Sequence, residues 1–325
     1  MNLKWRPATP AADRTPSAGK PASAFNRRLK RAVIRYDLYL MLILPIAYYI
    51  VFQYLPMYGL QIAFKDFNPA KGIFGSEWVG FDHFERFFSS YYFERLIWNT
   101  VSISLLSLLV AFPFPILLAL LINEIRNDRF RKLLQNVTYM PHFISVVVIV
   151  GMLHLYLSPN GGLVNIILNA LGFETIHFME RAEWFKPILI GSNIWQNMGW
   201  QSIIYIAALS GVNPQLYEAA MIDGATRMQR ILHVSLPGIV PVIVILLILD
   251  IGHFMDVGFE KILLMQNNLN MEASDVISTF IYRNGILNGD YSYSAAIGLF
   301  NSVINFTLLV LVNGYARRKA ETSLW

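Results

Sequence analysis

The sequence contains no cysteine, so it can form no disulfide bond, no thiolate nucleophile and no cysteine-based metal site. It also lacks the phosphate-cradling Gly-Lys-Ser/Thr loop, the His-Glu-x-x-His zinc motif and the Gly-x-Ser-x-Gly nucleophile motif. We therefore expect no ATP site, no metal site and no catalytic residue in this chain, and no cofactor that the chain binds by itself.

Charged side chains are scarce as well. They make up 14% of the 325 residues, whereas 55% of the residues are hydrophobic and the mean hydropathy is +0.45. Soluble domains rarely have this composition. The net charge of +5 would suit a nucleic acid, but the basic residues gather on one side of a predicted membrane. We therefore expect a polytopic protein of the lipid bilayer with no nucleic-acid partner.

Six apolar runs reach roughly the 20 residues that a bilayer core requires, which predicts six transmembrane helices. Pro113 and Pro115 should kink the second run, and Pro141 and His142 interrupt the third. The basic N-terminal segment is predicted to be a disordered cytoplasmic tail against anionic headgroups, and the last residues a short cytoplasmic tail. The runs cover residues 39–60, 97–122, 137–157, 187–212, 236–255 and 293–313, and the tails residues 1–37 and 319–325.

The distribution of lysine and arginine predicts the orientation, because cytoplasmic loops carry an excess of both. With the N-terminus inside, the inside segments contain 18 of the 26 Lys and Arg residues and the outside segments contain the other 8. Both termini and segment 213–237 are therefore expected in the cytoplasm. The outside segment 65–95 is rich in aromatic residues, which suit either an interfacial belt or a docking surface for a soluble binding protein.

Segment 213–237 is polar and separates the fourth and fifth apolar runs. Asn213 is a good helix N-cap and a proline follows it, so a short helix is predicted over residues 215–223. Gly224 is a natural stop, because glycine enters the left-handed region without strain. Thr226 should begin a second short helix at a right-angle bend, outside the bilayer.

The spacing within this segment resembles the EAA loop of the permease subunits of type I binding-protein-dependent ABC importers. The resemblance extends over most of the chain and points to the carbohydrate-uptake branch, in particular to oligosaccharide permeases that include alginate-type ones. The residues that carry the pattern are Glu218, Ala219, Ala220, Gly224, Leu236 and Pro237.

The resemblance implies an all-α membrane protein with six transmembrane helices and a cytoplasmic coupling helix, which is the type I ABC importer permease fold. In such permeases this loop docks into a cleft on the ATPase subunit. Glu218 would pair with a basic group there, Asp223 would offer a second charge, and Ala219, Ala220 and Gly224 would provide the close fit.

The same resemblance implies the partners and the location. A second homologous permease would complete a heterodimer, two ATPase subunits would hold ATP and Mg²⁺, and a periplasmic or extracellular solute-binding protein would deliver the oligosaccharide. The chain would be a non-catalytic, multi-pass subunit of a bacterial plasma (inner) membrane.

Polar residues inside the fourth run are the first candidates for substrate contact. Asn193, Gln196, Asn197 and Trp200 share one helical face. Amides in hydrocarbon are costly unless something satisfies them, so the stripe either bonds the helix to its neighbours or lines a translocation cavity. Amides match sugar hydroxyls and a Trp face can stack on a sugar ring, which favours the cavity.

Two further sets of polar residues lie in other runs. Tyr139 and His142 flank a proline break that would free backbone carbonyls for a cavity wall. Asp250 and His253 lie three residues apart in the fifth run, as a structural pair or a functional one. His253 is also a candidate substrate contact. The alternative function is a proton-coupled secondary transporter that uses Asp250 and His253, and a scaffolding subunit is a third hypothesis.

Overall fold

The computed structural model describes residues 36–319 and 323–324, so most of both predicted tails lies outside the described residues. The chain divides into two units, Met1–Gly59 and Leu60–Trp325. The first unit holds the beginning of an apolar helical run. Its π-helical turn comes directly before Pro56, whose missing N–H interrupts the regular hydrogen-bond ladder. The elements are α1 (Tyr36–Tyr49), the π turn (Ile50–Tyr54) and α2 (Leu55–Met57).

A small hairpin substructure follows this run. The Phe64 ring stacks on Trp78 at a centroid distance of 5.6 Å, and Phe87 packs in a core cluster with Tyr293. Phe87 is thus part of a buried cluster, whereas most of the other aromatic residues of segment 65–95, such as Phe81 and Tyr91, are exposed. The elements are a 3₁₀ helix (Tyr58–Phe64), β1 (Lys65–Asp66), α3 (Gly72–Gly75), β2 (Glu77–Trp78), antiparallel to β1, and α4 (Asp82–Phe88).

The second apolar run is one continuous helix, Phe93–Asn123. It consists of α5 (Phe93–Leu106), a π turn (Ser107–Ala111) and α6 (Pro113–Asn123). The N–H of Phe112 donates to the carbonyl of Ser107 over 3.0 Å, which adds one residue to this turn just before Pro113. The distortion predicted from the prolines therefore takes the form of a π turn.

The third apolar run is broken, as Pro141 predicts. α7 (Asp128–Tyr139) and a 3₁₀ turn (Met140–Phe143) meet α8 (Val146–Tyr156) at a bend of 96°. Ser145 restarts the chain as N-cap of α8, because its side chain accepts from the N–H of Val148.

Among the described residues, four helices are long and apolar enough to cross a membrane, or five when the bent pair is counted as one span. α10 (Ala182–Ser210) is longer than a bilayer core requires, but its polar residues lower its hydropathy. The remaining elements are α9 (Leu163–Ala170), α11 (Pro214–Ile222), α12 (Arg227–Arg230), a π turn (Ile231–Ser235), α13 (Leu236–Gly252), α14 (Phe259–Met265), α15 (Met271–Ser274), α16 (Ile277–Tyr282), a π turn (Arg283–Leu287) and α17 (Tyr291–Lys319).

The boundaries of the fifth run differ from the sequence prediction. The piece that begins at Thr226 is not a separate short helix. It continues through the π turn into α13, so that Arg227–Gly252 is one helix. It ends at Gly252, before the predicted limit, and His253 lies in the turn that follows. The polar first turns concealed this continuity, because hydropathy marks only the part of a helix that lies in lipid.

Close packing of α10 brings the candidate residues together. Gly199 lies so near to α7 that a Cβ there would meet the carbonyl oxygen of Thr138 at 2.0 Å. A second contact lies near the beginning of α5. There the buried carboxylate of Asp275 accepts hydrogen bonds from Arg95 over 2.7 Å and from Arg283 over 2.5 Å. The first contact holds α10 against α7, and the second holds α5 to the segment around Asp275.

Candidate functional site

The second unit contains a cavity of about 520 Å³ between α5, α6, α10 and α13. Its apolar lining comes from the π turn before α6 and the beginning of α6, from α10 and from α13, and most of its polar lining comes from α10 and from the end of α13 with the following turn. This volume is in the range of small-molecule sites. The polar residues of the lining are Ser104, Ser107, Asn193, Asn197, Gln201, Tyr205, Asp250, His253 and Asp256.

The predicted amide stripe divides into two pairs with different surroundings. Asn193 and Gln196 accept hydrogen bonds from the ammonium of Lys261, with Nζ 2.6 Å from Asn193 Oδ1 and 2.8 Å from Gln196 Oε1. Gln196 also donates to the carbonyl of Ile144, over 3.2 Å. Gln196 and Lys261 are 6% and 5% exposed, while Asn193 lies on the cavity. Gln196 therefore bonds α10 to its neighbours, and Asn193 both bonds Lys261 and lines the cavity.

The second pair of the stripe interacts with the broken third run. Asn197 donates from Nδ2 to the carbonyl of Asn193, which turns its Oδ1 to His142 Nδ1 at 3.0 Å. The His142 ring stacks on Trp200, with 4.7 Å between centroids and 3° between planes. Asn197 lines the cavity, and one face of Trp200 is covered by His142 rather than open to a sugar. Tyr139 bonds Ser202 on α10.

The sequence suggested a pair of Asp250 with His253, but in the structure His253 lies next to Asp256. Nδ1 of His253 lies 3.5 Å from Asp256 Oδ2, and Asn301 and Asn305 donate to the Asp256 carboxylate over 3.1 and 3.3 Å. Asp250 lines the same cavity one turn earlier. The structure therefore groups Asp256 with His253 and with two amides of α17.

Sequence reasoning missed Lys261 and Asp256. Both follow the fifth apolar run in a segment assigned to an outer loop, where charged residues are usual. A signal was nevertheless present, since Lys261 precedes the apolar residues of a short amphipathic helix. Ile262 and Met265 of that helix are fully buried. Because the helix has only seven residues, the burial of Ile262 and Met265 also buries Lys261 beside them.

The segment that resembles the EAA loop folds as predicted over its first half. The side chain of Asn213 accepts from the N–H of Gln215 and caps α11. Gly224 ends it in the left-handed region, with φ of 76°. Thr226 and Gln229 then form a reciprocal capping box at the start of α12. Two short polar turns thus produce the bend between the helices.

The outer face of this bend is exposed and mixes acidic with apolar residues. Glu218, Ala219, Asp223 and Gly224 are exposed and Ala220 is half-buried. Several apolar side chains of the same segment are exposed as well. The apolar residues are Leu216, Met221, Ile222, Met228 and Leu232.

The inner face of the bend is bonded to the rest of the unit. The Tyr217 hydroxyl lies 3.0 Å from Ser235 Oγ at the base of α13. Arg230 donates to Glu124, which caps the end of α6, over 3.3 Å, and both side chains are less than one-fifth exposed. These contacts connect α11 to the base of α13, and α12 to the end of α6.

Comparison with known proteins agrees with this architecture. The family described as "Binding-protein-dependent transport system inner membrane component" matches residues 111–321, a range that includes the cavity residues of α10 and α13 and the whole exposed bend. The chain belongs to this family. The chain is a permease, a non-catalytic inner-membrane component of an ABC transporter, and the fold predicted from the Glu218 segment is confirmed.

Two curated relatives share most of the permease's length. It is 43% identical over 288 residues to Protein LplB of Bacillus subtilis (strain 168), a match that covers 89% of this chain and 91% of that protein. It is 42% identical over 299 residues to the polygalacturonan/rhamnogalacturonan transport system permease protein YteP of the same organism, with coverage of 92% and 93%.

Two solved structures are similar to the permease in fold and sequence. One is a bacterial ABC transporter involved in the import of the acidic polysaccharide alginate, with a TM-score of 0.83, 45% identity and coverage of 90% of this chain and 99% of that one. The other is a bacterial alginate ABC transporter in complex with alginate pentasaccharide-bound periplasmic protein, with a TM-score of 0.84, 44% identity and coverage of 91% and 99%. The comparisons give no support to a proton-coupled carrier.

Proposed function

We propose that the permease forms half of the translocation pathway of an ATP-driven importer for an acidic oligosaccharide of the alginate type. The observation that carries the proposal is the cavity, in which amides, carboxylates and a histidine converge between helices of the permease fold. Such groups bond sugar hydroxyls as donors and acceptors. The acidic substrate class is supported by the relatives named for polygalacturonan and alginate transport.

The partners follow from the same comparison. A second, homologous permease completes the cavity, a solute-binding protein delivers the oligosaccharide from outside, and two ATPase subunits hold ATP and Mg²⁺. The alginate transporter that was solved with its periplasmic binding protein supports this assembly. The lysine and arginine distribution supports an orientation with both termini and the Glu218 segment in the cytoplasm, where ATP is available.

The coupling step uses the exposed bend at Glu218. ATP binding closes the two ATPase subunits and moves α11, which lies in a cleft on one of them. The bonds of Tyr217 to Ser235 and of Arg230 to Glu124 carry that movement to α13 and α6. Both helices line the cavity, so their displacement changes the side of the membrane to which it opens.

The complete importer, reconstituted in proteoliposomes with its binding protein, tests the proposal. We expect ATP-dependent uptake of an alginate pentasaccharide by the wild type. Asn193→Ala and Asn197→Ala should each lower uptake roughly tenfold with the subunits still assembled, the effect of losing about one hydrogen bond to the substrate. Asn169→Ala, an exposed amide outside the cavity, is the matched control.

Two results would contradict the proposal. The first is that the wild-type importer takes up no acidic oligosaccharide. The second is that the two cavity variants lose assembly and uptake together. The second result would mean that the amides only hold the helices in place.

A further inference from the structure

Lys261 is a buried cation that forms no ion pair with a carboxylate in the part of the chain that the structure describes. Lys261 is 5% exposed, and its ammonium donates to two amide oxygens, those of Asn193 and Gln196. None of the ion pairs among the described residues includes it. Burial of an unpaired charge costs free energy, so a role beyond packing is expected for this lysine.

Burial lowers the pKa of the Lys261 ammonium to about 8, a value above neutral pH. The charge lies one hydrogen bond away from Asn193, which is itself part of the cavity lining.

The geometry also fixes the orientation of the Asn193 amide. An ammonium group only donates hydrogen bonds, so the side-chain oxygens of Asn193 and Gln196 must face Lys261. The NH₂ group of Gln196 is used by the carbonyl of Ile144. The NH₂ group of Asn193 is turned away from Lys261. Of the two amides, Asn193 is the one that borders the cavity. At this point the α10 wall offers donors to a ligand.

The other charged residues of the cavity lie on a different wall. Asp250 is on α13, and Asp256 and His253 are in the turn after it. Carboxylates accept hydrogen bonds from hydroxyl groups, and two amides of α17 already donate to Asp256. The cavity thus has an α10 wall with a donor and a cation behind it, and an α13 wall with acceptors.

A sugar acid matches these two walls. Its carboxylate carries the negative charge and only accepts hydrogen bonds, whereas its hydroxyl groups donate. We propose that Lys261 determines specificity for acidic saccharides by holding Asn193 with its NH₂ group toward the cavity and by placing a positive charge behind that amide. Lys261 is a positioning residue that acts through Asn193. This inference rests on the proposed function.

The test is equilibrium binding to the purified complete importer without its binding protein, so that selectivity belongs to the membrane subunits. The two probes are an alginate pentasaccharide and the same pentasaccharide with its carboxylates reduced to alcohols. We expect wild type to prefer the acidic probe, and Lys261→Met to reduce this preference at least about tenfold through loss of one nearby charge. Lys261→Arg should retain the preference.

Lys186→Met is the matched control. Lys186 is a half-buried lysine of α10 that donates to Ser102 over 2.7 Å, and it borders a separate cleft. Its replacement should leave the ratio of the two affinities unchanged. Lys261→Gln, which keeps one donor and loses the charge, replaces the Met variant if that variant does not assemble.

The outcomes separate this inference from the proposed function. If wild type binds neither probe, the saccharide function fails and the role of Lys261 fails with it. If wild type binds both probes and neither Lys261→Met nor Lys261→Gln changes the ratio of affinities, the role of Lys261 alone is overturned. A parallel loss of both affinities in these variants would also overturn it, because it would show that Lys261 only supports the fold.

Discussion

Gly199 is the residue on which the geometry of the candidate site depends most directly. Gly199 permits the backbone of α10 to approach Thr138 at the end of α7. The next residue of α10 is Trp200, whose ring stacks on His142. Small residues allow such close helix approaches within membranes. Any side chain at this position must push the broken third run away from α10.

We expect Gly199→Ala to destabilise the permease by about 1–3 kcal/mol, the usual cost of overpacking, and to lower substrate binding with it. The added Cβ would stand 2.0 Å from a backbone oxygen, which cannot rotate away. Thermal unfolding of the purified subunit in detergent measures the effect.

Gly191→Ala on the same helix is the control, because a Cβ there meets nothing within 4 Å. It should be neutral or stabilising by about 0.5–1 kcal/mol, since alanine is the better helix former. Equal destabilisation by the two variants would contradict the importance of the contact between α7 and α10.

Single side chains also mark the limit of prediction from sequence. The amide stripe on α10 was predictable because helical periodicity places residues on one face regardless of what packs there. Its partners were not, because Lys261 and His142 reach it from segments about 65 and 55 residues away. The same is true of the buried Asp275, whose two arginine partners are 180 and 8 residues distant. Long-range pairing leaves no local pattern in one sequence.

At the scale of elements, local signals succeeded where they were strong. The N-cap at Asn213, the stop at the left-handed Gly224 and the start of a new helix after Thr226 are found where they were predicted. Pro141 marked the break in the third run. The continuity of α12 with α13 was missed, because the polar residues Arg227 and Arg230 made the first turn look like a separate short helix outside the bilayer.

The ion pair between Glu124 and Arg230 connects two such elements. We expect Glu124→Arg and Arg230→Glu each to reduce saccharide uptake, because either change leaves like charges together between α6 and α12. The double swap Glu124→Arg with Arg230→Glu should restore much of the loss, with a coupling energy of about 1–2 kcal/mol for two groups in contact.

Uptake and saccharide-stimulated ATP hydrolysis, measured together, separate coupling from folding. Loss of stimulation with unchanged basal hydrolysis would show that the pair transmits movement. The exposed pair Arg131 and Asp128 on α7 provides the matched charge-swap control, which should have little effect. Additive effects of the two single changes, with no recovery in the swap, would contradict this role.

For the molecule as a whole, the sequence predicts the class of protein and the order of its membrane spans better than the residues at which the helices begin and end. Composition and apolar runs identified a polytopic membrane protein, and the spacing around Glu218 identified the family that the comparisons confirm. The six predicted spans correspond to the four apolar helices, the bent pair and the more polar α10. Asn193, Asn197 and Gln201 of the cavity lining contribute to the polar character of α10.

At the exposed bend, we expect docking of the ATPase subunit to depend on a single residue, Glu218. Glu218 and Asp223 stand among exposed apolar side chains, the composition expected of a surface that a partner covers. The contacts of Tyr217 and Arg230 hold this surface in place from the inside. Reversal of the charge at Glu218 should therefore affect docking without affecting the fold.

The most direct test is co-purification of the tagged permease from its native membrane, with wild type beside Glu218→Lys. Wild type should bring an ATPase subunit and a second permease, and the variant should retain the second permease and lose the ATPase. Arg227→Glu, an exposed charge reversal on α12, controls for a general effect of charge. Recovery of wild type alone or only as a homo-oligomer would contradict the importer, and an ATPase that remained bound to Glu218→Lys would contradict the contact at Glu218.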